Sequence, residues 1–296
     1  MVMSNKELIA KLRKETLAPF SSCIKALEEA NNNFEEAKKL LFKKSILKTK
    51  TSDKGDEALP EGKLLAVGTK DFSFSTIVHL RAQTDFVTNS KSFVSLQREI
   101  GDMILKEFQK QSEFSASTID PAELLMIKSS RDNITVDEKI ASISSITKEE
   151  IKLGECWVSP RKPDYFTLSY THYNFKLAAS LTLKTGSKKL SDFNEQDLKE
   201  IRRLIIHLAG TDFLFLTKDD VTQEWISKES EVLKESMLKK NPNLKNVEQI
   251  VEKQIPKRIA EVTFTEQTFI LDQSTKMSSI LSKFDLTPIW VKKISI

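Results

Sequence analysis

Thr84-Asp85-Phe86-Val87 sets a carboxylate beside a large apolar ring where an alternating, strand-like segment (Ser75 to Gln83) gives way to helical spacing near Ser90. Loops at such tips commonly carry function. A Phe placed there needs a receiver, either the protein's own core or a partner. Covalent chemistry has less to work with. The three histidines, His79, His172 and His207, stand alone, with no HxH, HExxH or Cys/His spacing that would hold a metal. Cys23 and Cys156 are far apart and in no CxxC or nucleophile context. The carboxylate pairs Glu28-Glu29 and Glu149-Glu150 fall on helical, solvated positions, and no GxGxxG or GxxxxGK[ST] loop cradles a nucleotide. The residues point to recognition and not to catalysis, with no cofactor and no metal expected.

The elements that must position this tip are legible from periodicity. Residues 5 to 45 read as three short helices. Leu8 and Leu12 mark the first, which stops at Leu17-Ala18-Pro19. Cys23, Ala26, Leu27 and Ala30 mark the second, capped by Ser21 or Ser22. Phe34, Ala37 and Leu41 mark the third, after the Asn31-Asn32-Asn33 break. Phe20 either completes this small core or docks a partner. A Lys-rich segment without apolar periodicity follows and reads as a linker. Lys63 to Gly68 and Phe74 to Gln83 predict a hairpin turning near Lys70-Asp71. Phe93, Leu96, Ile100, Ile104 and Phe108 predict an amphipathic helix over Ser90 to Gln109. Asp120-Pro121 is a helix start, and a further helix is expected near Val136 to Ser142.

A second block repeats the strand–strand–helix order. Glu155 to Ser159 and Tyr165 to Leu183 read as strands, Phe193 to Ala209 as a helix, and Thr211-Asp212-Phe213-Leu214 partly echoes the first tip. Trp225, Ile226, Val232, Leu233 and Met237 form one narrow apolar stripe, and Val247, Ile250 and Val251 begin another beyond Asn241-Pro242-Asn243. This predicts an antiparallel helical hairpin that projects from the body, with Pro256 ending or kinking its outgoing arm. Ala260 to Phe264, a helix near Ser274 to Phe284 and a strand over Pro288 to Ile294 complete the second half. The expected organisation is therefore α+β. A three-helix domain (1–46) and a linker (47–62) precede two related α+β subdomains (63–150 and 151–296), the second carrying the helical hairpin at 221–257.

Composition agrees with that class. The chain has 296 residues, 39% of them hydrophobic and 30% charged, with a net charge of +4 from 46 basic and 42 acidic side chains. That balance is too mild for a dedicated nucleic-acid binder, so direct nucleic-acid binding is not expected. The apolar run Leu204 to Leu216 is broken by His207 and Asp212 and is too short to cross a bilayer. Two unpaired cysteines suit a reducing compartment. The opening residues lack the Arg-rich pattern of a presequence.

Taken together, the motifs become specific. Leu12-Arg13-x-x-Thr16 followed by Cys23-x-Lys25-Ala26-Leu27, and then Gln83-Thr84-Asp85-Phe86-Val87, resemble the two signatures of translation elongation factor Ts. Tyr170-Thr171-His172 resembles a third, weaker feature. The chain departs from the pattern at Leu17 and Tyr173, where Gly is usual, and at His79 and Arg81, where Glu and Asn are usual. The resemblance implies a ubiquitin-associated-like N-terminal domain and a guanine nucleotide exchange factor that binds elongation factor Tu in its GDP-bound and nucleotide-free states. It places partner contacts at Leu12, Arg13, Phe20, Thr84, Asp85, Phe86, Val87 and His172, although His172 also reads as a satisfied core histidine. Asp85 and Phe86 would enter beside the partner's Mg²⁺ site. Weakening nucleotide ten-thousand-fold takes about 5.5 kcal/mol, and burying one Phe supplies about 1.5–3 kcal/mol, so other contacts must share the load. Competing readings are an adaptor for ubiquitin-like folds and an RNA-binding ribosome-associated protein. The divergence suggests the mitochondrial matrix, with a bacterial cytoplasm as the alternative.

Overall fold

The computed structural model describes residues 5–16, 20–41 and 59–296. The expected turn at Leu17-Ala18-Pro19 and the linker lysines lie outside these residues.

Helices α1 (Asn5–Thr16), α2 (Phe20–Glu29) and α3 (34–41) enclose Leu12, Cys23, Ala26, Leu27, Ala30, Ala37 and Leu41. Asn31 and Asn32 adopt left-handed backbone conformations, which Asn tolerates better than most residues. Asn33 then accepts from the Glu36 N–H at 3.2 Å and starts α3. Helix α2 already contains Ser21 and Ser22, so neither caps it.

The body is two antiparallel sheets packed face to face. The first has the order β1 (Glu61–Gly68), β2 (Ser75–Ala82), β4 (Ile151–Val158), β3 (Ser117–Ile119). The second has the order β5 (Tyr165–Thr171), β6 (Leu177–Thr185), β7 (Leu286–Ser295). The division expected between 150 and 151 falls one strand early. β4 pairs with β2 and β3, so it belongs to the first sheet.

Alternation assigns each strand face. Leu65, Val67, Val78 and Leu80 pack under α5 (Lys91–Phe108) and α7 (Val136–Thr147), together with Phe93, Leu96, Ile100 and Ile104. The one-turn α4 (Asp85–Thr88) and α6 (Pro121–Leu125) flank this layer. Phe166, Leu168, Ala179, Leu181 and Leu183 pack under α8 (Glu195–Arg202), α9 (Leu204–Gly210) and α12 (Met277–Lys283). The single helix expected over Phe193 to Ala209 is thus two helices, meeting at Arg203.

Between the sheets, Leu64, Ile77, Trp157 and Ala178 form a small apolar cluster. Beside it runs a seam of buried hydroxyls. Ser75 Oγ donates to Ser180 Oγ at 2.9 Å, while Thr167 Oγ1 bonds Ser159 Oγ at 3.2 Å and Thr182 Oγ1 at 2.9 Å. Each hydroxyl can both donate and accept, so the seam is satisfied without charge.

Helices α10 (Gln223–Lys240) and α11 (Val247–Val262) form the antiparallel hairpin, and its apolar cluster is drawn from its own residues. Pro256 does not end the outgoing arm, and α11 continues through it to Val262. A proline there removes one backbone hydrogen bond, but Ile255 and Ile259 on either side stay packed in the hairpin cluster. Consequently Ala260 to Val262 is helical, and Phe264 begins a short 3₁₀ turn.

Candidate functional site: an exposed aromatic tip held by a carboxylate clamp

Helix α4 is a single turn because its cap and its stop lie four residues apart. Thr84 is extended (φ −128, ψ 156) and its side chain accepts from the Val87 N–H at 3.4 Å. Thr88 Oγ1 and the Asn89 N–H both donate to the Asp85 carbonyl, and Ser90 then caps α5 through the Phe93 N–H. Within this turn Val87 and Thr88 point inward, Val87 joining the core under α5. Asp85 and Phe86 point out, and the Phe86 ring is 83% exposed. Val87 therefore serves as the buried anchor of the tip and offers no surface to a partner.

A second loop fixes the tip from the side. Glu149 accepts from the Thr84 N–H (3.1 Å) and from Thr84 Oγ1 (2.8 Å), and the Glu150 N–H donates to Gln83 Oε1 at 3.2 Å. Glu149 can reach because Lys148, left-handed at φ 58, ends α7 and turns the chain toward β2. The solvated helical position expected of Glu149 is instead a clamp on Thr84. Only the β2–β4 pairing, Ala82 opposite Ile151, brings it to Thr84. Glu149→Ala should leave the fold intact and loosen the tip. The expected result is a roughly three- to tenfold loss in any activity that depends on Phe86, given a charge-assisted bond of about 1.5 kcal/mol or less at a partly exposed site. Circular dichroism and partner titration would check it.

The β5–β6 hairpin reaches the same end of the body. Its turn carries His172, Tyr173 and Phe175. The Phe175 carbonyl accepts from the Leu64 N–H at 2.8 Å, and Lys176 Nζ lies 3.2 Å from Glu61. Glu61 pairs with Ala82, two residues before Thr84. His172 is half-buried, with Nδ1 at 2.8 Å from the Tyr170 hydroxyl and its ring 4.5 Å from that of Tyr173. Tyr173 is 84% exposed. In the N-terminal module Arg13 and Phe20 are exposed, whereas Leu12 is 0% exposed at the module's centre. Leu12 cannot touch a partner. Its place is the small core that holds Phe20 outside.

The titratable groups fit a recognition surface. Burial pushes the Cys156 thiol up to about 12, which leaves it un-ionised and unreactive near neutral pH. Among the described residues no three His, Cys, Asp or Glu side chains converge as a metal site, and no helix is long and apolar enough to cross a membrane. His79 is held down to about 4, chiefly by burial and then by the nearby Arg81 and Lys176 charges. Its ring fills a slot between Gly62 and Gly154, where an added Cβ would lie 2.9 Å and 2.6 Å from its nitrogens. With the folded pKa below the unfolded one, acid protonates the unfolded chain first, so stability is complete above pH 6.5 and falls as pH drops toward 4. The expected loss is on the order of 2 kcal/mol, allowing for partial exposure. Thermal melts from pH 7.5 to 5 should show a steeper decline for the native chain than for His79→Gln.

The family profile described as Elongation factor TS matches residues 83–294, well over half of the chain. The chain belongs to the elongation factor Ts family. Similar proteins of that name include one from Mycoplasmoides gallisepticum, 29% identical over 90% of this chain and 84% of its own length. Those from Syntrophotalea carbinolica and Aquifex aeolicus are each 27% identical, over 93% and 95% of this chain and 84% and 92% of their own.

The match to the elongation factor Ts profile begins at Gln83, the residue before the tip, and ends within β7. The echo at Thr211-Asp212-Phe213-Leu214 lies inside it but is built differently. It follows helix α9, where the first motif precedes α5. Phe213 turns inward to within 5.2 Å of the Phe264 ring, Leu214 is exposed, and Asp212 is bound to Lys293 at 2.8 Å. Among the two motifs, the first alone sends its ring outward.

Proposed function

We propose that this chain is a guanine nucleotide exchange factor for elongation factor Tu, with Asp85 and Phe86 as the element inserted beside the partner's nucleotide. Family membership supports the activity. The observation that carries the insertion reading is Phe86, an almost fully exposed ring on a one-turn helix pinned by the Val87 anchor and the Glu149 clamp. A pinned backbone turn presents the ring to a partner with only the ring's own rotation left to be fixed on binding.

In this mechanism Phe86 wedges between packed helices of the GTPase domain, and Asp85 approaches the ground around its Mg²⁺. The ion demands near-ideal octahedral geometry, so a small displacement of its supports weakens it and the β-phosphate together. No covalent bond forms or breaks. The coupling is reciprocal, and nucleotide must weaken factor binding as much as factor weakens nucleotide. Since one Phe supplies about 1.5–3 kcal/mol, Arg13, Phe20 and the His172 hairpin are assigned the rest of the binding. The curated relatives are bacterial, which favours the bacterial cytoplasm over the mitochondrial matrix as the place of action. Release of labelled GDP from elongation factor Tu tests the reading, and no acceleration at a saturating amount of this protein would refute it.

A further inference from the structure

The β1–β2 and β5–β6 turns are built alike. In the first, the Phe72 N–H donates to the Thr69 carbonyl (3.1 Å), and the Thr69 N–H to the Phe74 carbonyl (3.0 Å). In the second, the Phe175 N–H donates to the His172 carbonyl (2.8 Å), and the His172 N–H to the Leu177 carbonyl (2.8 Å). Asp71 Oδ1 accepts from the Ser73 N–H at 3.1 Å, and Asn174 Oδ1 from the Lys176 N–H at 3.0 Å. Phe72 and Phe175 are both left-handed, at φ 58 and φ 59, a strained conformation for a bulky side chain. Each turn then hooks the opposite sheet. The Thr167 N–H donates to the Phe72 carbonyl at 2.6 Å, and the Leu64 N–H to the Phe175 carbonyl at 2.8 Å. The Phe72 ring packs against the core under α8 and α9, with Arg202 5.1 Å over it. The Phe175 ring packs against the core under α5, with Lys63 4.6 Å over it. One sequence interval separates Phe72 from Phe175 and Leu64 from Thr167.

The same interval leads from Thr84 to Ser187, and the clamp is repeated there. Asp285 accepts from the Ser187 N–H (2.7 Å) and from Ser187 Oγ (2.8 Å), as Glu149 does from Thr84. At this point the likeness breaks. The second tip exposes Lys188 and Lys189 where the first exposes Asp85 and Phe86. The two hooks thus have equal construction and unequal neighbours. Phe175 is tied to β1 at Leu64, three residues from Glu61, which pairs with Ala82 beside the aromatic tip. Phe72 is tied to β5 at Thr167, two residues from Tyr165, which pairs with Lys184 beside the lysine tip. We infer that Phe175 is a positioning residue for exchange. It holds the His172–Tyr173 turn at a fixed distance from Phe86, so that both meet the partner in one approach. Phe72 does the same mechanical work at the other end of the body, where no aromatic tip depends on it. The inference rests on the exchange-factor reading above and on the His172 turn as one of its contacts.

Phe175→Gly and Phe72→Gly make a matched pair, because glycine accepts a left-handed turn without strain and each variant loses one ring. Both should shift the melting temperature to a similar extent. The readout is release of labelled GDP from elongation factor Tu over a range of concentrations of this protein. Phe175→Gly should raise the concentration for half-maximal acceleration about five- to tenfold and keep the plateau rate within about twofold. Phe72→Gly should alter neither. Phe175→Tyr, which keeps the ring, should restore the native value. In a chain already carrying His172→Ala and Tyr173→Ala, Phe175→Gly should add nothing, because residues that act through one another are not additive. The positioning role is overturned if the two glycine variants lose affinity equally, or if Phe175→Gly costs nothing. It is overturned too if Phe175→Gly still costs affinity in the doubly substituted chain. If the unaltered chain does not accelerate release, the exchange-factor reading falls and this proposal with it. If it does, and Phe86→Ala impairs release while Phe175→Gly does not, the positioning proposal alone falls. Should either glycine variant fail to fold, Phe175→Leu and Phe72→Leu carry the same comparison.

Discussion

Phe86→Ala should abolish most of the acceleration of GDP release while leaving the melting temperature essentially unchanged. The two halves of that expectation have separate physical grounds. A ring that is 83% exposed makes little contact within its own protein, so its removal should alter stability by no more than about 0.5 kcal/mol. Inside a partner the same ring would lose its hydration, and its removal would forfeit about 1.5–3 kcal/mol, roughly ten- to hundredfold in rate or affinity. Phe86→Leu should fall between the two, because it keeps apolar volume but loses the flat shape. The combination matters most. A variant that exchanges normally would refute the wedge, and one that melts early would show the ring to be structural. Stopped-flow release of a fluorescent GDP, paired with calorimetric melting, reads both quantities.

Gly101→Leu should have the largest effect on stability. Gly101 lies in the middle of α5 facing β1, and an added Cβ would come within 2.7 Å of Val67 Cγ2 and 3.7 Å of Val78 Cγ2. Val67 is β-branched and its χ1 is stiff, so the helix must lift from the sheet. Overpacking of this kind costs about 1–3 kcal/mol, occasionally more. For a body of this size that lowers the melting temperature by about 5–10 °C. Because α4 leads directly into α5, the lift should also misplace Phe86 and reduce exchange. Gly101→Ala is the milder control, since its gain in helix propensity of about 1 kcal/mol partly offsets the contact. An unchanged melt for the leucine variant would show that the helix–sheet contact is looser than described.

Local patterns carried much of this structure, and non-local ones did not. The stripe from Phe93 to Ile104 gave α5, alternation gave β1 and β2, and the Asn run gave the break before α3, since each depends on neighbours in sequence. β4 pairs with β2 across a long insertion that periodicity cannot see, so its place in the first sheet is not legible from local pattern. The same blindness hid Glu149, which is a solvated helix-end acid in sequence and a clamp in space. Leu12 and Phe20 share a signature segment, yet one is buried and the other exposed. Motif spacing does not distinguish a residue that builds a surface from one that forms it. Pro256 shows the converse, a strong local signal overruled because the hairpin's apolar contacts continue on both sides of it.

The hydroxyl seam between the sheets bears on how force is shared during binding. Phe86 sits at the end of one sheet and Tyr173 at the same end of the other. The Ser75–Ser180 and Ser159–Thr167 pairs join those sheets through directional, uncharged bonds that neither salt nor mild acid can relax. The protein is in that respect a caliper with its jaws soldered at one opening. On the wedge mechanism proposed above, a target whose grooves are spaced differently would have to do the bending itself.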